Sequence, residues 1–421
     1  MKFAALRSVA MRQAAALLSG TLFAQLVTFS ASPLLSRLYS PIEFGVYGLF
    51  VSITVIIASI AAGRYELAIV LPDDKTESAH VAFLGVLITS LVGLFLVVAL
   101  ALTWDSVIAL LRNPGIDRWL WLVPVHVMFV SINQILAQLN LRFNEFGIQA
   151  KIRVIQSIMA AGFGVTFSAL NFGPGGLILG VVAAQILVNV IQVGRGLGCY
   201  FPYVKSFGWS RCSMLGRKYR KFPIYQVPST LIETLTSYIP IFVLSPFFGA
   251  EAAGYFFMAQ SIVRVPVVFL SKAVGEVFRQ RASRQFNSKG NCRDLYVKTF
   301  WILIGVGAPG FGILAYVAPD LFSIVLGERW RDAGVYAQFM CVMFLMQFVS
   351  SPLSAVFIVT QRLGHNLLMQ VGTFLVVGTS FLVGVLYLNS PLETVTLYSA
   401  AYALRYVVQL RLSFKYSGSK A

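Results

Sequence analysis

Charged residues are scarce in this chain. Asp, Glu, Lys and Arg make up 12% of its 421 residues, about half of the roughly 25% found in soluble domains. That deficit excludes an ordinary water-soluble globular protein, and a hydrophobic content of 57% with mean hydropathy +0.77 assigns a polytopic membrane protein. Acidic residues are rarer still, 16 against 33 Lys and Arg. The two longest stretches expected to face outward, 103–117 and 319–333, carry Asp105 and Asp117 in one and Asp320, Glu328 and Asp332 in the other, with no Asp-x-Asp arrangement. A membrane enzyme of sugar chemistry needs paired carboxylates or metal-binding acids on such a loop, so the chain is not expected to be an enzyme. No Gly-rich phosphate loop followed by Lys and Ser/Thr is present, which excludes an ATP site of that type. Neither the three histidines (His80, His126, His365) nor the four cysteines (Cys199, Cys212, Cys292, Cys341) show ligand spacing, so no metal, disulfide framework or cofactor is implied.

What is present is a series of long apolar runs. The first, 13–36, follows Lys2, Arg7 and Arg12; it is too long for the apolar core of a signal peptide and is retained as a span. Windows of about 20 residues, the length that crosses the hydrocarbon core, predict twelve spans. The first six are 13–36, 42–63, 79–102, 118–140, 148–171 and 174–197; the second six are 224–247, 252–275, 299–318, 334–360, 366–388 and 392–413. The intervening polar stretch 199–223 reads as a basic linker, dividing the chain into six-helix lobes 1–198 and 224–421. Trp104, Trp119 and Trp330 are expected to anchor span ends at the interface. Weak internal repetition supports two halves: Glu43, Gly45, Tyr47, Ser52 and Ile53 lead into span two, and Glu251, Gly254, Tyr255, Ser261 and Ile262 into span eight.

Charge then sets the direction. With the N-terminus inside, cytoplasmic segments and adjoining helix ends hold 26 Lys and Arg against 5 outside, which places both termini in the cytoplasm. The net charge of +17 is thereby explained by anionic lipid headgroups, without nucleic acid.

A few charges lie inside the spans. Arg264 sits near the middle of span eight, two residues before Pro266; Glu233 lies in span seven and Arg405 in span twelve. An arginine at the centre of a membrane helix costs roughly 2.5 to 3.5 kcal/mol on insertion scales, so it is expected to face a bundle interior or a watery cavity. One reading is a buried ion pair of Glu233 with Arg264 or Arg405 that fixes helix packing. The other is an aqueous chamber where arginines hold an anionic group and Glu233 takes up a proton or a cation. Arginine suits a pyrophosphate because its planar fork donates paired hydrogen bonds and stays charged. Pro228, Pro240, Pro246 and Pro266 are expected to kink spans seven and eight. Arg64 and Glu66 at the end of span two can receive a headgroup from the cytoplasmic leaflet, with Asp73 and Asp74 nearby and Arg37 at the outer end of span one; snorkelling and surface pairing explain these as well. Asn133, Gln134, Gln138 and Asn140 in span four, with Gln185 and Asn189 in span six, are either sugar contacts or interhelical hydrogen bonds.

Leu38, Tyr39, Ser40, Pro41, Glu43, Phe44, Gly45 and Tyr47, followed by the run from Gly63 through Arg64, Tyr65 and Glu66 to Pro72, resemble the first-half signature of bacterial polysaccharide (O-antigen, Wzx-type) flippases. Tyr219, Phe222, Pro223, Pro240, Phe248, Gly249, Ala253, Gly254, Tyr255, Pro266, Val277 and Phe278 resemble the second half, as do Gly327, Glu328, Trp330, Ala333 and Gly334. The resemblance implies the multidrug/oligosaccharidyl-lipid/polysaccharide exporter superfamily: an all-α integral membrane fold of about twelve transmembrane helices in two six-helix lobes around a central cavity. It implies a flippase that moves undecaprenyl-pyrophosphate-linked oligosaccharide from the cytoplasmic to the periplasmic leaflet of the bacterial inner membrane, for O-antigen, lipopolysaccharide or exopolysaccharide synthesis. Its expected partners are that lipid-linked oligosaccharide, membrane lipids, and a polysaccharide polymerase with other assembly proteins. The cationic lumen of many relatives maps onto Arg264 and Arg405, with Arg64 and Arg37 as further substrate contacts and Glu233 and Glu66 as ion-coupling candidates. The alternative is a cation-coupled multidrug antiporter of the same fold, which favours acidic residues and an aromatic cage.

Overall fold

The computed structural model describes the backbone at residues 2–200, 203, 209–360 and 363–418, with side chains there except at 2–16, 197, 209–210, 289 and 363–368. Among the described residues, twelve long helices account for the twelve predicted spans. They are α1 (Lys2–Leu38), α2 (Pro41–Ala61), α3 (Lys75–Leu111), α4 (Leu122–Arg142), α5 (Phe146–Ser168), α6 (Pro174–Cys199), α8 (Val227–Phe248), α9 (Ala250–Lys289), α10 (Arg293–Leu326), α11 (Arg331–Leu353), α13 (Leu363–Val383) and α14 (Pro391–Ser417). Two short helices, α7 (Trp209–Lys218) and α12 (Ala355–Val359), complete the set. Ten of the long helices are apolar enough over 18 residues to cross a bilayer. The other two, α5 and α14, are 23 and 27 residues long, enough for about 34 and 40 Å. Their hydropathy is diluted by Lys151 and Arg153 in α5 and by Glu393, Arg405 and Arg411 in α14.

Local chemistry sets the helix starts. Ser40 closes a capping box with Glu43 ahead of Pro41, satisfying two of the donors that a helix N-terminus leaves open. Asp74 accepts from Thr76 N to cap α3, and Ser390 caps α14 ahead of Pro391.

Several helices run past the ends expected for them. The stretch 103–117 is not an open loop: α3 continues to Leu111, bending where Thr103 leaves helical φ/ψ. Similarly α10 continues through Pro319 to Leu326, leaving 327–330 as the connection. Apolar periodicity stops at the membrane boundary, whereas backbone hydrogen bonding does not. Pro240, Pro246 and Pro266 lie inside helices that continue through them. Trp330 is fully buried, edge-on to Tyr255 with ring centroids 6.3 Å apart, and is a packing residue, not an interfacial anchor. Trp119 is half-buried against the turn before α6, where a Cβ at Gly175 would collide with the indole. Trp104 stacks on Trp121 at 4.6 Å.

The chain divides into two compact units, Met1–Thr234 and Leu235–Ala421. In the first, α1 and α6 pack on α5, and α4 is packed against α2, α3 and α6. In the second, α11 is the axial helix, touched by α9, α10 and α14. It buries Ala337, Met340, Cys341, Phe344 and Phe348 accordingly.

Candidate functional site

The intramembrane arginines fall in the second unit. Arg264 projects from α9 as an exposed side chain, and among the described residues no ion pair or side-chain hydrogen bond holds it. Its electrostatic neighbours are the hydroxyls of Tyr238, Tyr398 and Tyr406. Arg405 also acts on Tyr406: its guanidinium lies 4.7 Å from that ring centroid, while Nε donates to Thr373 Oγ1 at 3.1 Å. The two arginines therefore converge on one tyrosine. Tyr398, Tyr402 and Tyr406 form an aromatic column along α14, with successive centroids 5.0 and 6.0 Å apart. These tyrosines were not singled out from sequence, although their four-residue spacing on span twelve is a legible signal.

The other predicted residues lie elsewhere. Arg64 and Glu66 do meet, at 3.1 Å in the turn after α2, with Arg64 in the left-handed region and also donating to Ser59 O at 3.4 Å. Glu66 is 3% exposed. Burial raises its pKa above the ordinary 4.5, and this outweighs the lowering by Arg64 and by the residue's own backbone N–H; the carboxylate is held in a poorly solvated pocket. Asp73 and Asp74 do not join this pair. The Asp73 carbonyl accepts from Arg142, as does that of Pro72, both at 2.7 Å. Arg37 is exposed in the last turn of α1, and Glu233 is exposed on α8.

The amides of spans four and six resolve toward interhelical bonding. Asn140 Nδ2 donates to Gln149 at 3.0 Å and to Gln192 at 3.1 Å, and Asn140 accepts from the Tyr200 hydroxyl. Gln192 donates to Asn133 at 2.7 Å and Gln156 to Gln185 at 2.6 Å. Asn189 donates to the Phe129 carbonyl at 2.6 Å. Asn133 and Asn140, Gln149 and Gln156, and Gln185 and Gln192 are each seven residues apart, so one face of α4, α5 and α6 carries matching rungs. Gln134 and Gln138 occupy the adjoining, half-exposed face of α4. A further arginine, Arg153, donates to Thr21 Oγ1 at 2.6 Å and ties α5 to α1.

Two of the histidines are packing residues: His126 stacks on Phe50 at 5.5 Å, and His80 Nδ1 lies 2.6 Å from the Thr76 carbonyl. The side chain of His365 lies outside the described residues.

Long apolar helices in two units define a polytopic membrane protein, with a guanidinium standing exposed within one apolar span. The chain belongs to the polysaccharide biosynthesis protein family, which matches residues 34–335. Curated relatives are similar in the same sense: the teichuronic acid biosynthesis protein TuaB of Bacillus subtilis (strain 168) is 23% identical over 66% of this chain and 58% of its own length. The succinoglycan biosynthesis transport protein ExoT of Rhizobium meliloti (strain 1021) is 22% identical over 72% of this chain and 60% of its own length. The chain thus spans about three-fifths of the length of these relatives. Among solved structures, the lipid II flippase MurJ in an inward closed conformation superposes with TM-score 0.73 at 13% identity, covering 95% of this chain and 87% of that one. An inward-facing multidrug resistance MATE family transporter of the MOP superfamily gives 0.68 at 15%, covering 94% and 93%. The structural likenesses show the fold, and the family match with the named relatives bears out the resemblance to polysaccharide flippases of the Wzx type.

Proposed function

We propose that this protein is a flippase that carries undecaprenyl-pyrophosphate-linked oligosaccharide from the cytoplasmic to the periplasmic leaflet of the bacterial inner membrane, for surface polysaccharide synthesis. The observation that supports the reading is Arg264, exposed within an apolar span with no ion pair among the described residues. A guanidinium costly to insert is retained where it can gain an anionic ligand, and a pyrophosphate matches its fork. Arg405, half-buried and aligned by Thr373, adds a second guanidinium that acts on the same buried Tyr406. Transport follows alternating access driven by an ion gradient, with Glu233 as coupling residue. The names of the relatives, a polysaccharide biosynthesis protein and a polysaccharide transport protein, agree with this class of cargo.

The test is complementation of a strain lacking its own flippase. Arg264→Ala is expected to abolish surface polysaccharide at normal protein abundance, with Arg264→Lys restoring only part of it; full surface polysaccharide in Arg264→Ala cells would overturn the arginine's role. Transport by Glu233→Gln that keeps its normal dependence on the proton gradient would remove the coupling assignment. The alternative, a multidrug antiporter, has the MATE likeness in its favour, but an exposed arginine repels cationic drugs. Resistance to cationic dyes conferred by expression would favour that alternative.

A further inference from the structure

The cytoplasmic extension of α9 carries a basic cleft that neither the family assignment nor the intramembrane arginines explain. A cleft of about 420 Å³ opens between α9 and the end of α11 and α12, lined by Ser271, Lys272, Glu276, Arg279, Gln347 and Ser351 among others. It shares Glu276, Arg279 and Ile358 with a broader trough of about 1050 Å³ that continues to Arg284 and Asn287. Its volume is that of a small-ligand site, and like such sites its lining is mostly apolar with a few charged and polar side chains set into it.

The cleft follows from backbone packing. Pro352 cannot donate to the carbonyl four residues earlier; Ser271 Oγ donates to that carbonyl, Phe348 O, at 3.4 Å. One turn on, a Cβ at Gly275 would lie 3.3 Å from Pro352 Cα, so the two helices approach closely there and form the cleft floor. Lys272, Glu276 and Arg279 stand around this floor as exposed side chains. Among the described residues, no ion pair engages Lys272, Arg279 or Arg284, and Glu276 alone opposes them.

Position along α9 connects the cleft to Arg264. Lys272 and Arg279 follow Arg264 by eight and fifteen residues, so all three fall within an arc of about 80° on one helix face. Measured from Ala250, they lie about 21, 33 and 43 Å along the axis. With the C-terminal end of α9 in the cytoplasm, as the charge asymmetry assigns, Lys272 reaches headgroup level and Arg264 lies within the hydrocarbon region, about 30 Å thick.

We infer that the Lys272–Arg279 cleft is a loading site for the phosphorylated headgroup of a polyprenyl lipid, which it holds at the cytoplasmic interface before the headgroup meets Arg264. The inference rests on the transport reading and adds to it the route of entry. Lysine and arginine supply charge-assisted hydrogen bonds to phosphate oxygens, the Ser351 hydroxyl is a donor at the rim, and Glu276 sets a limit on how much charge the cleft accepts.

The experiment measures binding of farnesyl pyrophosphate to the purified full-length protein in nanodiscs of zwitterionic lipid. Lys272→Gln/Arg279→Gln is expected to weaken binding about tenfold or more, since charge-assisted contacts are lost; Lys272→Arg/Arg279→Lys is expected to keep it. Ser351→Trp, which fills the cleft and leaves its charge intact, should weaken binding as well and so separates occupancy from general charge. Normal binding by both the glutamine pair and Ser351→Trp, with loss in Arg264→Gln, would overturn the loading site and leave the transport reading standing. Absence of binding to the wild-type protein would count against both. Displacement of the probe by phosphatidylglycerol at equal concentration would make the cleft a bulk-lipid site and overturn the loading role.

Discussion

Replacing Asn140 by leucine removes three hydrogen bonds while keeping the forked side-chain shape: those with Gln149 on α5, with Gln192 on α6, and with Tyr200 just beyond α6. Asn140 is 4% exposed, and Gln149 and Gln192 are 3% and 4% exposed, so the two glutamine oxygens gain no water in exchange. Hydrogen bonds between membrane helices average about 0.6 kcal/mol in double-mutant cycles, with about 1.7 as the largest values. Three of them give about 2 kcal/mol. For a unit of this size, the shift is about 2 to 4 °C per kcal/mol, or a melting temperature lower by about 4 to 8 °C. Tryptophan fluorescence during thermal unfolding in detergent reports the change through Trp104, Trp119 and Trp121 of the first unit. Gln192→Leu in the same background should then cost less than it does alone, because its bond to Asn140 is already gone. A melting temperature within about 1 °C of wild type, or strictly additive losses, would refute the amide ladder as a unit of stability.

The raised pKa of Glu66 gives a pH dependence. A carboxyl whose folded value lies above the unfolded 4.5 contributes stability that is fully present below about 4.5 and is lost as pH rises through the folded value. Wild-type protein is therefore expected to unfold at a lower temperature at pH 8 than at pH 5, and Glu66→Gln to flatten that difference; an unchanged difference in the variant would sink the assignment. Topology is testable through thiols, since Cys199 is exposed while Cys212, Cys292 and Cys341 are buried. A membrane-impermeant maleimide should label Cys199 in inside-out vesicles and leave it unlabelled in intact spheroplasts, and the opposite pattern would reverse the orientation. Gly175→Val places a side chain where the Trp119 indole sits; the expected outcome is loss of folded protein, read as aggregation on size-exclusion chromatography, and a monodisperse variant would show that the turn before α6 tolerates repacking.

The membrane class and the twelve spans were legible from the sequence because both depend on length and local hydropathy, and each span satisfies its own backbone hydrogen bonds. Arg264 stood out for the same reason: a charge inside an apolar run is a local anomaly, visible without neighbours. Sequence windows failed where helices outrun the bilayer, in α3, α9 and α10, since hydropathy reports the solvent and not the backbone. Trp330 was misplaced because an indole suits an interface and a core equally well, and only the packing of Tyr255 on it decides between them.

The polar residues divide along the same line. Span membership and seven-residue spacing of Asn133, Asn140, Gln149, Gln156, Gln185 and Gln192 were in the sequence, but an amide donates to a sugar or to a facing helix with equal chemistry. The pairing of α4, α5 and α6 selected the facing helix. Lys272 and Arg279 likewise counted in the sequence as cytoplasmic charge; that they border a cleft depends on Gly275 meeting Pro352, a contact between residues 77 positions apart. By itself the sequence determined which segments lie in lipid and which charges are costly there, because those are properties of a helix alone. Only the tertiary structure decided which polar groups satisfy each other and which are left facing open space, because that depends on what the neighbouring helix presents.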